Sequence, residues 1–309
     1  MLRPNLFHMQ SKTTDVANLT TNPSFYLRHE FAIRRFHSLI GIVPLGLYMV
    51  IHLTTNASLM NSPESFQRAV YMIHSAGMAL PLIEWGGIFL PLLFHGILGI
   101  WIAKNAKLNT GHYRFTGNRR YAWQRYTGIV ALVYLFFHIL HLHGWFHFGP
   151  YLEVIRPLQF AAFKPYNAAS TLVESMNQWG GFVWPAFYLV GVMCCVYHLA
   201  NGLWTAGITW GLWITPAAQN RASKVSVVFG VILSVIALSA WWAAVAPSSE
   251  DAIRYREIEN RMYEANLESG VILDTPEKRY EEATTEASVT PETASPTADA
   301  DSSDSDPLQ

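Results

Sequence analysis

Charge is scarce in this 309-residue chain: Asp, Glu, Lys and Arg together make up 14% of it, where a soluble domain averages about 25%. Carboxylates are scarcer still over most of its length. Residues 1–247 hold 6 of the 22 acidic and 16 of the 21 basic residues, while residues 248–309 hold 16 acidic and 5 basic ones. A formal net charge of -1 therefore hides a basic body and an acidic tail. The basic residues flank apolar runs instead of forming one patch, which argues against a nucleic-acid binder. Cysteine is nearly missing. Cys194 and Cys195 are adjacent inside an apolar run, so they read as packing residues and not as a disulfide or zinc pair. No GxGxxG offers a dinucleotide loop. Residues 1–33 are polar and lack a short apolar core before a small-residue cleavage site, so no cleaved leader is expected.

What fills the chain instead is apolar: 51% hydrophobic residues and 11 Trp. Five stretches, near 35–57, 79–103, 125–147, 182–210 and 224–246, reach the ~20 residues a bilayer-crossing helix needs. Pro44, Pro81 and Pro91 fall inside them, which membrane helices tolerate. The alternation of a lipid-facing β-barrel is absent. The expected fold is all-α, an integral membrane bundle of five transmembrane helices over 34–247, preceded by a short polar segment over 1–33. Placing the N-terminus in the cytoplasm puts Arg3, Lys12, Arg28, Arg34, Arg35, Lys104, Lys107, Arg114, Arg119, Arg120, Arg125, Arg221 and Lys224 inside. Only Arg68, Arg156 and Lys164 then fall in outer loops. The expected location is the cytoplasmic (inner) membrane, multi-pass. Residues 248–309 form the acidic tail: Ile253, Ile258, Met262 and Leu267 predict a short amphipathic helix, and 280–309 have almost nothing to bury and read as disordered.

Histidine carries the chemistry. His52, His95, His138 and His198 lie one to a span in four different spans. An ionisable side chain at membrane depth is costly and points to function. One such residue is more often a packing residue, but four on four helices would each need a separate excuse. Two facing pairs would give axial imidazoles to two haems, and bis-His iron has no open position, which suits electron transfer. There is no CxxCH, so such haems would be held without thioether bonds. Gly99 and Gly202 each lie four residues after a histidine, and Gly191 seven before His198, on the same helix faces, where they leave room for a porphyrin. By rise per residue His52 lies ~26 Å beyond Arg35, His138 ~20 Å beyond Arg125 and His95 ~13 Å from Lys104. Depth favours His52 with His138 near the outside and His95 with His198 nearer the inside, but does not by itself fix the partner of His198.

Other polar residues are secondary. His141, His143 and His147 follow His138 and read as interfacial side chains reaching water, although His141 could compete as a ligand. His8, His29, His74 and His112 fall outside the spans and carry no signal. His37 could meet a haem propionate or a quinone, or simply anchor its helix. Glu84, at the outer start of the second span, could pass protons between a quinone and water, or sit in the headgroup zone. Arg35 and Arg125 could pair with propionates, and positive-inside anchoring explains them equally.

The stretches RRFHSLIGIVPLGLYMVIHLTTN (34–56), FLPLLFHGILGIWIAKNAK (89–107), QRYTGIVALVYLFFHIL (124–140) and VYHLANGLWTAGITWG (196–211) resemble, in order and spacing, a known family. This is the membrane cytochrome b subunit of succinate:quinone oxidoreductases (complex II: succinate dehydrogenase or fumarate reductase), of the one-chain, five-helix, two-haem type. The resemblance implies two haem b groups, with His95 and His198 on the proximal haem and His52 and His138 on the distal one. It also implies Ser38 near a proximal propionate and His37 as a histidine that is not an axial ligand. Its implied partners are a flavoprotein (FAD) subunit and an iron–sulfur subunit, and its implied substrate is a membrane quinone, expected to be menaquinone. The chain itself would not oxidise succinate, having no site for FAD or an iron–sulfur cluster. The segment around 148–180 and the tail beyond about 248 depart from the family pattern. Two other readings compete: a diheme b-type anchor of another quinone-linked dehydrogenase, and a haem-free proton-coupled transporter, whose usual inverted repeat is not visible.

Overall fold

The computed structural model describes residues 25–280, apart from residues 107, 109, 113 and 114. The tail beyond 280, and the basic residues Arg3, Lys12, Lys107 and Arg114 used for orientation, lie outside the described residues. Helix α1 (Phe25–Ile42) passes into α2 (Pro44–Ala57) across Val43 alone. Pro44 has no N–H to give the ladder, yet the path stays helical because Val43 still donates to the Leu39 carbonyl at 2.8 Å. After α3 (Pro63–His74) the chain returns through α4 (Leu80–Glu84), a π-helical turn at Trp85–Phe89, and α5 (Leu90–Lys104). Pro81 sits in the first turn of α4, where a missing N–H costs least, and Pro91 follows the π-helical turn inside the continuous helical run Gly77–Lys104, as membrane helices tolerate. Helix α6 (Thr116–His138) ends in a second π-helical turn, Ile139–His143, stopped by Gly144 at φ 75°. The short α7 (Gly149–Ile155) and α8 (Ala168–Asn177) precede the long α9 (Val183–Thr209) and α10 (Pro216–Val245), and α11 (Ser249–Glu268) follows.

Among the described residues, five segments are long and apolar enough to cross a membrane: Arg28–Met60, Gly77–Lys104, Thr116–His143, Val183–Thr209 and Pro216–Val245. The third and fifth begin well before the predicted 125 and 224, because a helix does not stop where hydropathy falls. Thr215 caps α10 by accepting from the Ala218 amide at 3.2 Å, with Pro216 at the first helical position. Helix α9 is the central stave, packed along α6 and α10, while α1 lies against α5 and α9 and α2 against α10. Small residues let α10 approach closely: Ala237, Ala240, Ala243 and Ala244 are buried, and the Ser226 hydroxyl donates to the Ala200 carbonyl at 2.5 Å. Its other face shows Val228, Val231, Ile232 and Val235 outward, as lipid contact requires. The protein is a multi-pass helical membrane protein.

One end of the bundle carries a folded cap made by α3, α8, α11 and the segment leading to Tyr280; the opposite end, with the α5–α6 and α9–α10 turns, has no such cap among the described residues and is called the open end. The acidic tail is thus helical to Glu268 and docked as far as Tyr280. The docked face of α11 matches the predicted one only in part: Ala252, Glu259 and Tyr263 are buried and Ile258 and Met262 half-buried, whereas Ile253 is 57% and Leu267 39% exposed. The reason lies at the N-terminus of α8, whose free amides need acceptors. Gln67 of α3 accepts from the Ala168 amide at 2.9 Å, and Glu259 of α11 accepts from the Ala169 amide at 2.6 Å and the Ser170 hydroxyl at 2.5 Å. Two helices thereby cap a third, and the carboxylate sits at the positive end of the α8 dipole. A capping box starts α11, with Ser248 and Asp251 bonding each other's backbone amides. Farther along, Asn167 donates to Asn260 at 3.0 Å and accepts from the Tyr280 amide at 2.9 Å, and Glu174 pairs with Arg256.

Candidate functional site

The four spans that carry membrane-depth histidines bring them together as two facing pairs. His95 of α5 and His198 of α9 have ring centroids 6.1 Å apart with planes at 87°. His52 of α2 and His138 of α6 have centroids 5.9 Å apart with planes at 79°. Two in-line metal–nitrogen bonds of about 2 Å, plus roughly 1 Å from each nitrogen to its ring centre, put centroids about 6 Å apart. The spacing therefore fits one metal between each pair. Among the described residues no group of three or more His, Cys, Asp or Glu converges on a metal position. Each pair would supply two ligands to such a metal, leaving its other positions to a macrocycle that the metal brings with it. Haem fits that donor set.

Hydrogen bonds fix which ring nitrogen faces the gap at the open end. His95 Nδ1 lies 3.1 Å from the His37 carbonyl and His198 Nδ1 3.0 Å from the Gln124 carbonyl. A carbonyl only accepts, so both Nδ1 atoms carry the proton and both Nε2 atoms keep a lone pair. The Gln124 amide nitrogen, also near the His198 ring, donates instead to the His198 carbonyl at 3.0 Å. Its oxygen accepts from Asn201 at 2.6 Å, and Asn201 accepts in turn from Arg120 at 2.6 Å. Arg120 also bonds Ser223 and lies over the Trp204 ring at 3.9 Å. At the cap end the partners are hydroxyls: Tyr188 at 3.3 Å from His138 Nδ1, and Tyr48 at the limit of reach, 3.5 Å from His52 Nδ1.

Both pairs open into one continuous chamber of about 1160 Å³, above the ~300–1,000 Å³ of a single small-molecule pocket. Glycines on neighbouring helices make room for the open-end rings. A Cβ at Gly41 would come within 2.5 Å of His95 Cε1, and one at Gly128 within 2.8 Å of His198 Cε1. These two were not singled out in the sequence, because each faces a histidine on another helix. Of the glycines that were, Gly99 and Gly202 line the chamber, but Gly191 does not: its place is taken up by the Tyr134 ring, 2.1 Å from where a Cβ would stand.

The remaining predicted residues divide. His37, Ser38, Glu84 and Arg125 line the chamber. His37 stacks on His95 with centroids 4.0 Å apart and planes at 7°. Its buried Nδ1 has no partner, and neither does the buried Nε of Arg125, whose Nη1 donates to the Tyr121 carbonyl at 2.9 Å. Ser38 donates to the Arg35 carbonyl and accepts from Trp210 Nε1 at 2.9 Å. Arg35 itself turns away, over Phe31 and Trp210 and toward the Thr209 carbonyl, and Arg34, paired with Glu30 at 2.7 Å, lines the chamber in its place. Glu84, His74, His143 and His147 line the cap end, and Lys278 and Glu277 of the docked tail complete the wall there. His141 is not interfacial, as expected from its position, but fully buried: a left-handed Gly144 ends the helix and turns the chain back over it. Gln124, Asn201, Arg120 and Tyr188 were not anticipated. Their signal, polar residues inside apolar runs close to the histidine helices, is visible in the sequence only once the facing helices are known. Cys194 and Cys195 are free thiols, and Cys195 packs against the core.

Five spanning helices around a chamber with facing imidazole pairs define a membrane protein of the cytochrome b class. No family model matches the chain. It is 33% identical over 216 residues to the succinate dehydrogenase cytochrome b558 subunit of Bacillus subtilis (strain 168), a match spanning 70% of this chain and 98% of that protein. The chain belongs to the family of succinate dehydrogenase cytochrome b subunits, the membrane-embedded electron-transport subunits of that complex.

Proposed function

We propose that the chain is a diheme anchor that passes electrons between the iron–sulfur subunit of succinate dehydrogenase or fumarate reductase and a membrane quinone. The observation that carries this reading is the pair of near-perpendicular imidazole couples, with ring centroids 5.9 and 6.1 Å apart. In this reading His95 and His198 hold the proximal haem b and His52 and His138 the distal one. Haem supplies a one-electron carrier at each site. The residues do the rest: paired imidazoles exclude other axial ligands, and the apolar lining keeps water from the metal. From Gly128, against His198, to His138 the step along α6 is about 15 Å, short enough for electrons to tunnel directly between the sites.

The open end carries Arg34, Arg119, Arg120 and Arg125, so we assign it to the cytoplasmic side of the inner membrane, facing the flavoprotein and iron–sulfur subunits. The unpartnered nitrogens of Arg125 and His37 offer donors to haem propionates there. At the cap end Glu84 would hold or release the proton that quinone chemistry exchanges with water. The test is a reduced-minus-oxidised spectrum of the complex purified with its native partners. Two b-type haems per chain, both reduced on adding succinate, are expected; an intact complex without haem would overturn the assignment.

A further inference from the structure

Past His138, α6 continues one π-helical turn and brings His141 under the same tyrosine. Tyr188 Oη lies 3.3 Å from His138 Nδ1 and 3.0 Å from His141 Nδ1, and His141 Nε2 lies 3.1 Å from Gln178 Oε1. His141 is wholly buried and stacked flat on Trp184, with centroids 3.7 Å apart and planes at 9°. It therefore has no access to water and no freedom to turn. The chain of bonds has a direction. Gln178 presents a carbonyl oxygen, which only accepts, so His141 Nε2 carries the proton and His141 Nδ1 a lone pair. Tyr188 donates its hydroxyl proton into that lone pair. Its oxygen is then left to accept from His138 Nδ1–H, and Nε2 of His138, whose ring centre lies 5.9 Å from that of His52, is left unprotonated.

We infer that Tyr188, His141 and Gln178 form a polarity-setting relay that holds His138 in the one tautomer able to bind iron and raises its strength as a donor. The inference rests on the diheme reading above. These three are positioning residues, since each acts through His138. Read in the opposite direction, the same atoms would give Tyr188 O–H to His138 Nδ1 and put a proton on Nε2, where no metal could bind. Metal-ligating histidines whose second nitrogen is tied to an outer partner depend on it by about 10–100-fold in affinity or activity. The open-end histidines do not need such a relay, because backbone carbonyls do the same work.

The test is a redox titration of haem absorbance in the intact complex, comparing wild type with Y188F, H141A and H141N. Losing the acceptor for Nδ1–H makes His138 a weaker donor and destabilises the ferric form. Y188F is expected to raise the potential of one haem by about tenfold in its equilibrium, 59 mV for one electron, and to leave the other haem unmoved. H141A is expected to shift the same haem, and H141N, whose amide oxygen can replace Nδ1 as acceptor, to restore it. Two haems in Y188F with both potentials unmoved would overturn the relay alone. Fewer than two haems in the wild type would overturn the diheme reading beneath it.

Discussion

The two histidine pairs solve one problem with different materials. At the open end the second nitrogen of each imidazole is tied to a main-chain carbonyl, of His37 for His95 and of Gln124 for His198. At the cap end the partners are the hydroxyls of Tyr48 and Tyr188. A carbonyl can only accept, so it dictates the tautomer, and no side-chain substitution removes it. A hydroxyl can act in either sense and needs further groups to give it direction. The tautomers of one site are therefore set by main-chain acceptors and those of the other by side-chain hydroxyls.

Breaking the packing should have the largest effect. Gly41→Ala or Gly128→Ala would drive a methyl into the His95 or His198 ring, at 2.5 and 2.8 Å. Either is expected to cost the open-end haem, about half the haem per chain, and leave the cap-end signal in place. Overpacking of this kind costs about 1–3 kcal/mol where the neighbour cannot move. Haem content by pyridine haemochrome checks it, and an undiminished count would show that the rings have slack. Next comes the network behind Gln124. Asn201→Ala leaves the Gln124 oxygen and an Arg120 nitrogen without their partners, a loss of about 1–3 kcal/mol. It is expected to lower the melting temperature and to shift the open-end haem alone, as read by the absorbance titration. Equal shifts in both haems would erase the distinction between the sites.

The smallest effect concerns the cap, which walls the chamber beside the hydroxyl-tied pair. Burial pushes the Glu259 carboxyl up to about 7, against the bonds it accepts from α8. An acid whose folded pKa is raised stabilises the docked state fully below its unfolded value of about 4.3, and that contribution is lost as pH rises through about 7. The protection factors of amides at the start of α8, with intrinsic base catalysis divided out, should therefore fall between those limits. Glu259→Gln should flatten the profile, and Glu259→Ala should weaken docking by about 1–3 kcal/mol at any pH. Protection factors that stay constant across this range in the native chain would remove Glu259 from this role.

Much of this was legible in the sequence. Hydropathy marks five spans, and the four histidines stand out because ionisable residues are rare at that depth. Their pairing needed more, since rise per residue left His198 at the depth of His138. What hydropathy does not encode is what crosses between helices. Gly41 and Gly128 matter for rings on other spans, and Arg34 replaces Arg35 in the chamber because the helix turns by about 100° per residue. His141 was misread as interfacial because its burial comes from the chain folding back after Gly144. Likewise the buried face of α11 is set by the amides of α8, a polar demand that a count of apolar residues cannot register.

Two bis-imidazole sites with crossed rings are the core of the proposed function, and the most direct test is electron paramagnetic resonance of the oxidised complex. Ring planes at 79° and 87° predict two separate low-spin ferric signals, each with the strong axial anisotropy of nearly perpendicular imidazoles. Tyr188→Phe should disturb one of them and Asn201→Ala the other. A single haem signal, or the rhombic shape given by parallel rings, would contradict the two-site geometry.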